Sequence, residues 1–177
     1  MVKILPIEKQ YMYNKGLVIS QASQIKLTKR LLTEVLEKIL KEDVGVNVLH
    51  EIINRYRDII LKKKISHVDD ITIIKKVGKM PEEYKSLPAH VELALKRKAL
   101  GERFYTSEKI SFIVLSNNPL KIIHVSDYNG KYDTNYYWNK QVFAPTYRLL
   151  SIIYPKENWD IYLDTDITQT KLNLFIK

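Results

Sequence analysis

The chain contains no cysteine, and none of its apolar runs is long enough to span a membrane. The absence of cysteine excludes a disulfide scaffold, a thiol nucleophile and any cysteine-ligated zinc site. The first ten residues, MVKILPIEKQ, lack the apolar stretch of a signal peptide. Apolar residues make up 45% of the sequence, which predicts a packed core. We therefore expect a soluble, cytoplasmic protein without a membrane partner.

Positive charge is in excess and unevenly distributed. The chain has 29 Lys+Arg against 20 Asp+Glu, a net charge of +9. Residues 61–109 carry twelve basic and seven acidic groups, which gives +5, whereas 1–60 carry +3 and 110–177 carry +1. A local basic excess favours polyanion binding through counterion release. From charge alone, nucleic-acid binding and a solvated lysine-rich surface are equally good interpretations. Nucleic-acid binding would imply a nucleoid-associated location.

Apolar spacing predicts two amphipathic helices in the first third of the chain, over about 23–42 and 46–63. Ser23 is a plausible N-cap of the first helix, and a short strand is predicted before it at 17–20. Because the link between the helices is short, we expect them to form an antiparallel pair.

Shorter elements follow, with Asp133 predicted to cap a long helix that Pro145 kinks and Pro155 stops. Before that helix we expect a strand over 71–77, a helix over 88–100 between Pro88 and Gly101, and a hairpin of strands 109–116 and 121–125. The predicted fold class is α+β, mainly helical, with a few short antiparallel strands.

Three consecutive segments carry a recognisable pattern. They are KKVGKMPEEYKSLPAHVELALKRKALGERF at 75–104, ISFIVL at 110–115 and DTNYYWNKQVFAPTYRLL at 133–150. Their order resembles the thumb of family B DNA polymerases, especially archaeal ones. The positions that match the family's motifs are Lys75, Lys76, Tyr84, Lys85, Pro88, His90, Val91, Ala94, Gly101, Ile110, Phe112, Ile113, Val114, Asp133, Tyr136, Tyr137, Gln141 and Arg148. The chain departs from the family at Lys140, where Asn is usual, and at Pro145, which falls one residue late.

The resemblance implies a division of the chain into three parts. YNKGLVIS at 13–20 resembles the family's exit from the palm, so residues 1–20 would complete the palm edge of a partner. Residues 21–155 would form the thumb, and 156–177 a C-terminal tail.

The polymerase chemistry of this family needs palm carboxylates that hold two metal ions. The motifs that supply these carboxylates do not precede residue 17. The resemblance therefore implies the small subunit of a split polymerase or an excised thumb, inactive alone and binding no cofactor. Mg²⁺ would lie in the palm of a catalytic large subunit. Asp164 and Asp166 imitate a catalytic motif but follow the thumb, where a solvated turn is the stronger interpretation and a nuclease the weaker one.

The last residues fit the pattern of peptides that bind the sliding clamp, PCNA. Gln169 would form hydrogen bonds at the edge, and Leu172, Phe175 and Ile176 would form an apolar plug, with Ile176 in place of an aromatic residue. The alternative is a terminal segment that packs on the chain's own core.

The expected function is to grip primer–template duplex through its phosphates and so support processive replication. The candidate DNA-binding residues are Lys75, Lys76, Lys79, Tyr84, Lys85, His90, Lys96 and Arg97. His90 is an equally plausible helix-cap histidine, and the three successive basic residues at 96–98 cannot all face one groove. The alternative function is a free-standing DNA-binding or sliding-clamp adaptor protein.

Overall fold

The computed structural model describes residues 24–41, 44–102 and 107–163. Its main elements are α1 (Lys26–Lys41), α2 (Val46–Leu61), β1 (Ile73–Lys76), α3 (Ala89–Ala99), β2 (Lys109–Asn117), β3 (Leu120–His124), α4 (Thr134–Tyr136) and α5 (Ala144–Ile153). The predicted class, helices with a small antiparallel sheet, is confirmed. The predicted strand at 17–20 and the cap at Ser23 lie outside the described residues.

The two N-terminal helices bury the apolar stripes that their sequences predict, and they pack against each other. The buried residues of α1 and α2 include Leu27, Leu31, Leu32, Val35, Leu36, Leu49, Ile52, Ile53 and Ile60. α1 begins at Lys26, three residues later than predicted, and α2 ends at Leu61 rather than 63. Leu40, counted in the apolar stripe, is exposed in the last turn of α1. Lys63, at φ +53°, adopts the left-handed conformation that commonly follows a helix end.

The three strands form one antiparallel sheet in the order β1-β2-β3, and the predicted hairpin is β2–β3. β1 is shorter than the predicted strand at 71–77, because residues 68–70 form a 3₁₀ turn before it. Ile73 lies opposite Phe112, and Val114 lies opposite Ile122. Paired residues share one face of a sheet, and on this face Ile73, Phe112 and Val114 are buried while Ile122 is half-buried.

α3 packs against β2 and β3 and lies between the two residues predicted to bound it. Pro88 is its N-cap, and Gly101, at φ +94°, follows its end, where a side chain would be strained. The helix buries Val91, Leu93 and Ala94.

Asp133 begins the C-terminal helical segment and fixes it to the hairpin. Its Oδ1 accepts a hydrogen bond from the backbone N–H of Tyr136 at 2.8 Å, the predicted cap, and its Oδ2 accepts one from the N–H of Asn117 at 2.9 Å. The hydroxyl of Tyr137 accepts a hydrogen bond from the N–H of Val114 at 3.1 Å. Asp133 and Tyr137 therefore both join the segment to β2.

Between α4 and α5 the helix widens into a π-helical segment, Tyr137–Phe143. The predicted kink at Pro145 is replaced by this wider turn before the proline, which is the second residue of α5. Since proline has no N–H, it cannot bond to the carbonyl of Gln141, four residues earlier. That carbonyl instead accepts a hydrogen bond from the buried hydroxyl of Thr28, on α1, at 2.8 Å.

The first part of the predicted tail forms a 3₁₀ turn, Trp159–Tyr162, that packs on α2. The ring of His50 stacks on Trp159 and Tyr162, with centroids 4.8 and 5.6 Å away, and its Nδ1 lies 2.7 Å from the Tyr162 hydroxyl. The indole N–H of Trp138 donates to the carbonyl of Tyr162 at 2.8 Å. These contacts hold the turn against the core.

One contiguous core joins the helices to the sheet. Tyr137 and Trp138 are fully buried in it. Among the described residues, no helix has the length and apolar character needed to cross a membrane.

Candidate nucleic-acid interface

Exposed lysines lie on β1, in the turn after it and at the start of β2. We define the basic strip as Lys75, Lys76, Lys79, Lys85 and Lys109, all of which are exposed. β1 is an edge strand, since it pairs with β2 alone among the described strands. The strip therefore follows the β1 edge of the sheet, with Lys109 beside it at the start of β2, where a large ligand can approach.

Lys76 and Lys109 lie directly opposite each other in the β1–β2 pair. Like charges in opposite positions of a sheet destabilise it. The cost is relieved when an anion binds between them, because the two positive charges then share a negative partner. The sequence did not single out Lys109, because its place beside Lys76 depends on the strand register.

Lys75 lies on the other face of β1, on the side of His90, the second residue of α3. Burial lowers the pKa of the His90 imidazole below its ordinary 6.5, and the positive charge of Lys75 lowers it further. The imidazole is therefore neutral at neutral pH. A phosphate bound here would face a lysine ammonium and an imidazole that gains a proton as the phosphate approaches.

The turn between β1 and α3 holds Tyr84 in place. Its hydroxyl accepts a hydrogen bond from the backbone N–H of Lys79 at 3.3 Å, and the Glu83 carboxylate accepts one from the N–H of Met80 at 3.0 Å. Tyr84 is half-buried against the core, while Lys79 and Lys85 point into solvent. The tyrosine thus positions the turn that carries two lysines of the strip.

Two predicted DNA contacts at the end of α3 form ion pairs within the chain. Lys96 pairs with Glu92 at 2.7 Å on the exposed side of the helix. Arg97 pairs with Glu102, its Nε lying 2.9 Å from Oε2, and contacts Asp127 at 3.5 Å. The Arg97 side chain is only 19% exposed. The structure thus places Arg97 where it ties α3 to the segment after β3, apart from the open charge of the strip.

The sequence of residues 4–174 matches the family model described as DNA polymerase family B. The chain belongs to this family.

Several archaeal DNA polymerases are similar to this family B chain. It is 28% identical over 160 residues to a DNA polymerase of Archaeoglobus fulgidus, covering 77% of this chain and 20% of that one. It is 30% identical over 151 residues to a DNA polymerase of Thermococcus aggregans, covering 81% and 8%. The chain thus spans a fifth or less of the length of these relatives.

A solved structure shows a similar fold. The family B DNA polymerase from the hyperthermophilic archaeon Pyrobaculum calidifontis superposes with a TM-score of 0.59 at 24% identity. The match covers 73% of this chain and 18% of that one. At this identity the likeness concerns the fold alone.

Four residues behind the family resemblance in the last helical segment form hydrogen bonds within the chain: Asp133, Tyr136, Tyr137 and Gln141. Besides the bonds of Asp133 and Tyr137, the side-chain amide of Gln141 donates to the Tyr136 hydroxyl at 2.9 Å. Lys140, where the family usually has Asn, reaches the Asn117 side chain at 3.3 Å and lies over the Tyr136 ring. Arg148 is exposed on α5. The departure at Lys140 is therefore accommodated by a contact with the hairpin.

The remaining predicted residues lie outside the described part of the chain. These are the clamp-binding residues Gln169, Leu172, Phe175 and Ile176 and the two aspartates Asp164 and Asp166. Within 24–41, 44–102 and 107–163, no three histidine or acidic side chains come close enough together to hold a metal ion.

Proposed function

We propose that this family B chain is a DNA-binding thumb that works with a separate catalytic chain. The observation that carries the proposal is the basic strip, and above all the opposed pair Lys76 and Lys109 at an open sheet edge. A stable fold gains nothing from two facing lysines, whereas a polyanion bound across them neutralises both. We identify the polyanion as duplex DNA, because DNA polymerases of this family bind duplex DNA.

In this proposal the strip binds the phosphate backbone of the duplex and makes no sequence-specific contacts with the bases. Lysine is a mobile point charge suited to phosphate, and phosphate contacts fix position without sequence information. His90 and the start of α3 lie beside Lys75 and add a second kind of donor to the same phosphate track. Such a grip lengthens the time that the enzyme stays on DNA, which raises processivity without any bond being made or broken by this chain.

The chemistry of nucleotide addition belongs to the partner in this proposal. A large subunit carries the palm carboxylates and the two Mg²⁺ ions they hold, and residues 1–20 of this chain complete the palm edge. The C-terminal residues Gln169, Leu172, Phe175 and Ile176 bind a sliding clamp. Neither segment includes a residue of the basic strip.

The DNA-binding part is tested by the salt dependence of duplex binding. Each phosphate contact contributes about 0.9 to the slope of log K against log salt. We expect Lys76→Gln and Lys109→Gln each to reduce the slope by about this amount. Lys156→Gln, an equal charge change at an exposed position beyond α5, should leave it unchanged. Equal slopes for all variants would contradict the proposed interface.

The partner is tested by co-purification followed by primer extension. We expect a catalytic chain to co-purify in equal amounts, and to extend primers further per binding event when this chain is present. Duplex binding by this chain with no effect on any family B catalytic chain would favour the alternative, a free-standing DNA-binding or clamp-adaptor protein.

A further inference from the structure

A polar cavity lies between α1, α2 and the connection that follows α2. Its volume is about 270 Å³. The polar residues that line it are Arg30, Glu34, Arg55, Lys64, Ser66 and Asp70. None of them belongs to the basic strip or to the motifs of the family resemblance.

Two of the three basic side chains are held in place by carboxylates. The Nη2 of Arg30 lies 2.6 Å from Oδ1 of Asp70, whose side chain is only 8% exposed. Arg55 pairs through its Nη2 with Glu34, and the hydroxyl of Tyr56 donates to the other oxygen of Glu34 at 3.1 Å. A guanidinium carries five N–H donors, and each ion pair occupies one terminal nitrogen. Both arginines line the cavity, and each keeps N–H donors that its ion pair does not use.

Lys64 supplies the charge that the carboxylates do not balance. The cavity holds three basic groups, Arg30, Arg55 and Lys64, against two carboxylates, which leaves a net charge of +1. No carboxylate within the described residues pairs with Lys64. The hydroxyl of Ser66, two residues further on, lies at the same wall. This combination of donors fits a compact anion with several oxygen acceptors.

We propose that this cavity binds a phosphate group, with Lys64 and Ser66 as its donors and Arg30 and Arg55 as pre-oriented partners. Phosphate matches the donor geometry because guanidinium groups bind its oxygens two at a time. The group comes either from free phosphate or from the backbone of the duplex. The second source rests on the proposed function, and Asp70 lies only three residues before β1, which leads into the basic strip.

The test uses the full chain and inorganic phosphate as the probe. In ¹⁵N NMR spectra we expect saturable shifts of the Lys64 and Ser66 amides and of the Arg30 and Arg55 Nε–H signals. Lys64→Gln should weaken this binding by about tenfold or more, the factor for one lost charge-assisted hydrogen bond. Ser66→Ala should weaken it less. Lys156→Gln is the matched charge control and should bind as the unaltered chain does.

A second arm identifies the source of the phosphate. If duplex backbone enters the cavity, Lys64→Gln lowers the salt slope of duplex binding by about 0.9. An unchanged slope together with saturable phosphate binding supports the site with free phosphate as its ligand. The proposal is overturned if phosphate causes no saturable shift, or if only an acidic peptide of glutamates shifts these signals. Failure of the proposed function looks different, since the Lys76 and Lys109 variants would then keep the full slope while the cavity still binds phosphate.

Discussion

The hydrogen bond from Thr28 to the carbonyl of Gln141 gives a sharp prediction about stability. The hydroxyl of Thr28 is buried, Gln141 is half-buried, and Pro145 has no N–H to offer the Gln141 carbonyl. Thr28→Val keeps the shape of the side chain but leaves the carbonyl without its donor. A buried acceptor that loses its partner costs about 1–3 kcal/mol. For a chain of this size, about 2 kcal/mol corresponds to a fall in Tm of about 4–8 °C.

The assay is urea and thermal unfolding followed by circular dichroism, with Thr33→Val as the matched control. Thr33 lies on the same helix and is half-buried, so the substitution changes helix propensity equally without removing this bond. Pro145→Ala provides the decisive test, because residue 145 then has an N–H that can bond to Gln141. We expect Thr28→Val to cost at least 1 kcal/mol less in the Pro145→Ala background. Equal losses in both backgrounds, or in Thr28→Val and Thr33→Val, would refute the account.

Three further predictions concern binding and stability. Duplex affinity should rise as pH falls from about 7.5 to 6, because bound phosphate raises the lowered pKa of His90. His90→Gln should flatten this pH profile, whereas His67→Gln should retain it. The measurement is fluorescence anisotropy of labelled duplex at fixed salt. The stability of the free chain depends on pH in the opposite direction. Because the pKa of His90 is lowered in the fold, its contribution to stability declines as pH drops below 6.5. Asp133→Ala should destabilise the fold by about 2 kcal/mol in urea unfolding, because the N–H groups of Tyr136 and Asn117 both lose their acceptor, whereas Asp133→Asn should cost less. Phe175→Ala should abolish binding of a sliding clamp in a pull-down and leave duplex affinity intact; loss of both would indicate that Phe175 packs in the core.

The sequence predicts the elements whose signals are local. The apolar stripes of α1 and α2, the hairpin, and the Pro88 and Gly101 boundaries of α3 follow from spacing and turn residues. The π-helical segment does not follow from them. Pro145 predicts a kink at its own position, but the widened turn before it is supported by Thr28, more than a hundred residues earlier. No local pattern reveals such a partner.

The candidate site shows the same division. Lys75 and Lys76 are visible as basic residues in a short strand, and both are exposed in the structure. Lys109 becomes a candidate phosphate contact only through the strand register, which places it opposite Lys76. Likewise, only the fold shows that Arg97 forms ion pairs with Glu102 and Asp127. Charge can be counted in a sequence, but the pairing of charges depends on the fold.

The stacked rings of His50, Trp159 and Tyr162 hold the last described turn, and with it Leu163, against α2. Gln169 follows Leu163 by six residues, which span at most about 22 Å when fully extended. A clamp that binds Gln169 would therefore hold it within that distance of Leu163. Such a short tether raises the effective concentration of one bound partner near the other. Because the packed rings hold Leu163 in place, binding of this chain to a clamp and to duplex at the same time would be bivalent.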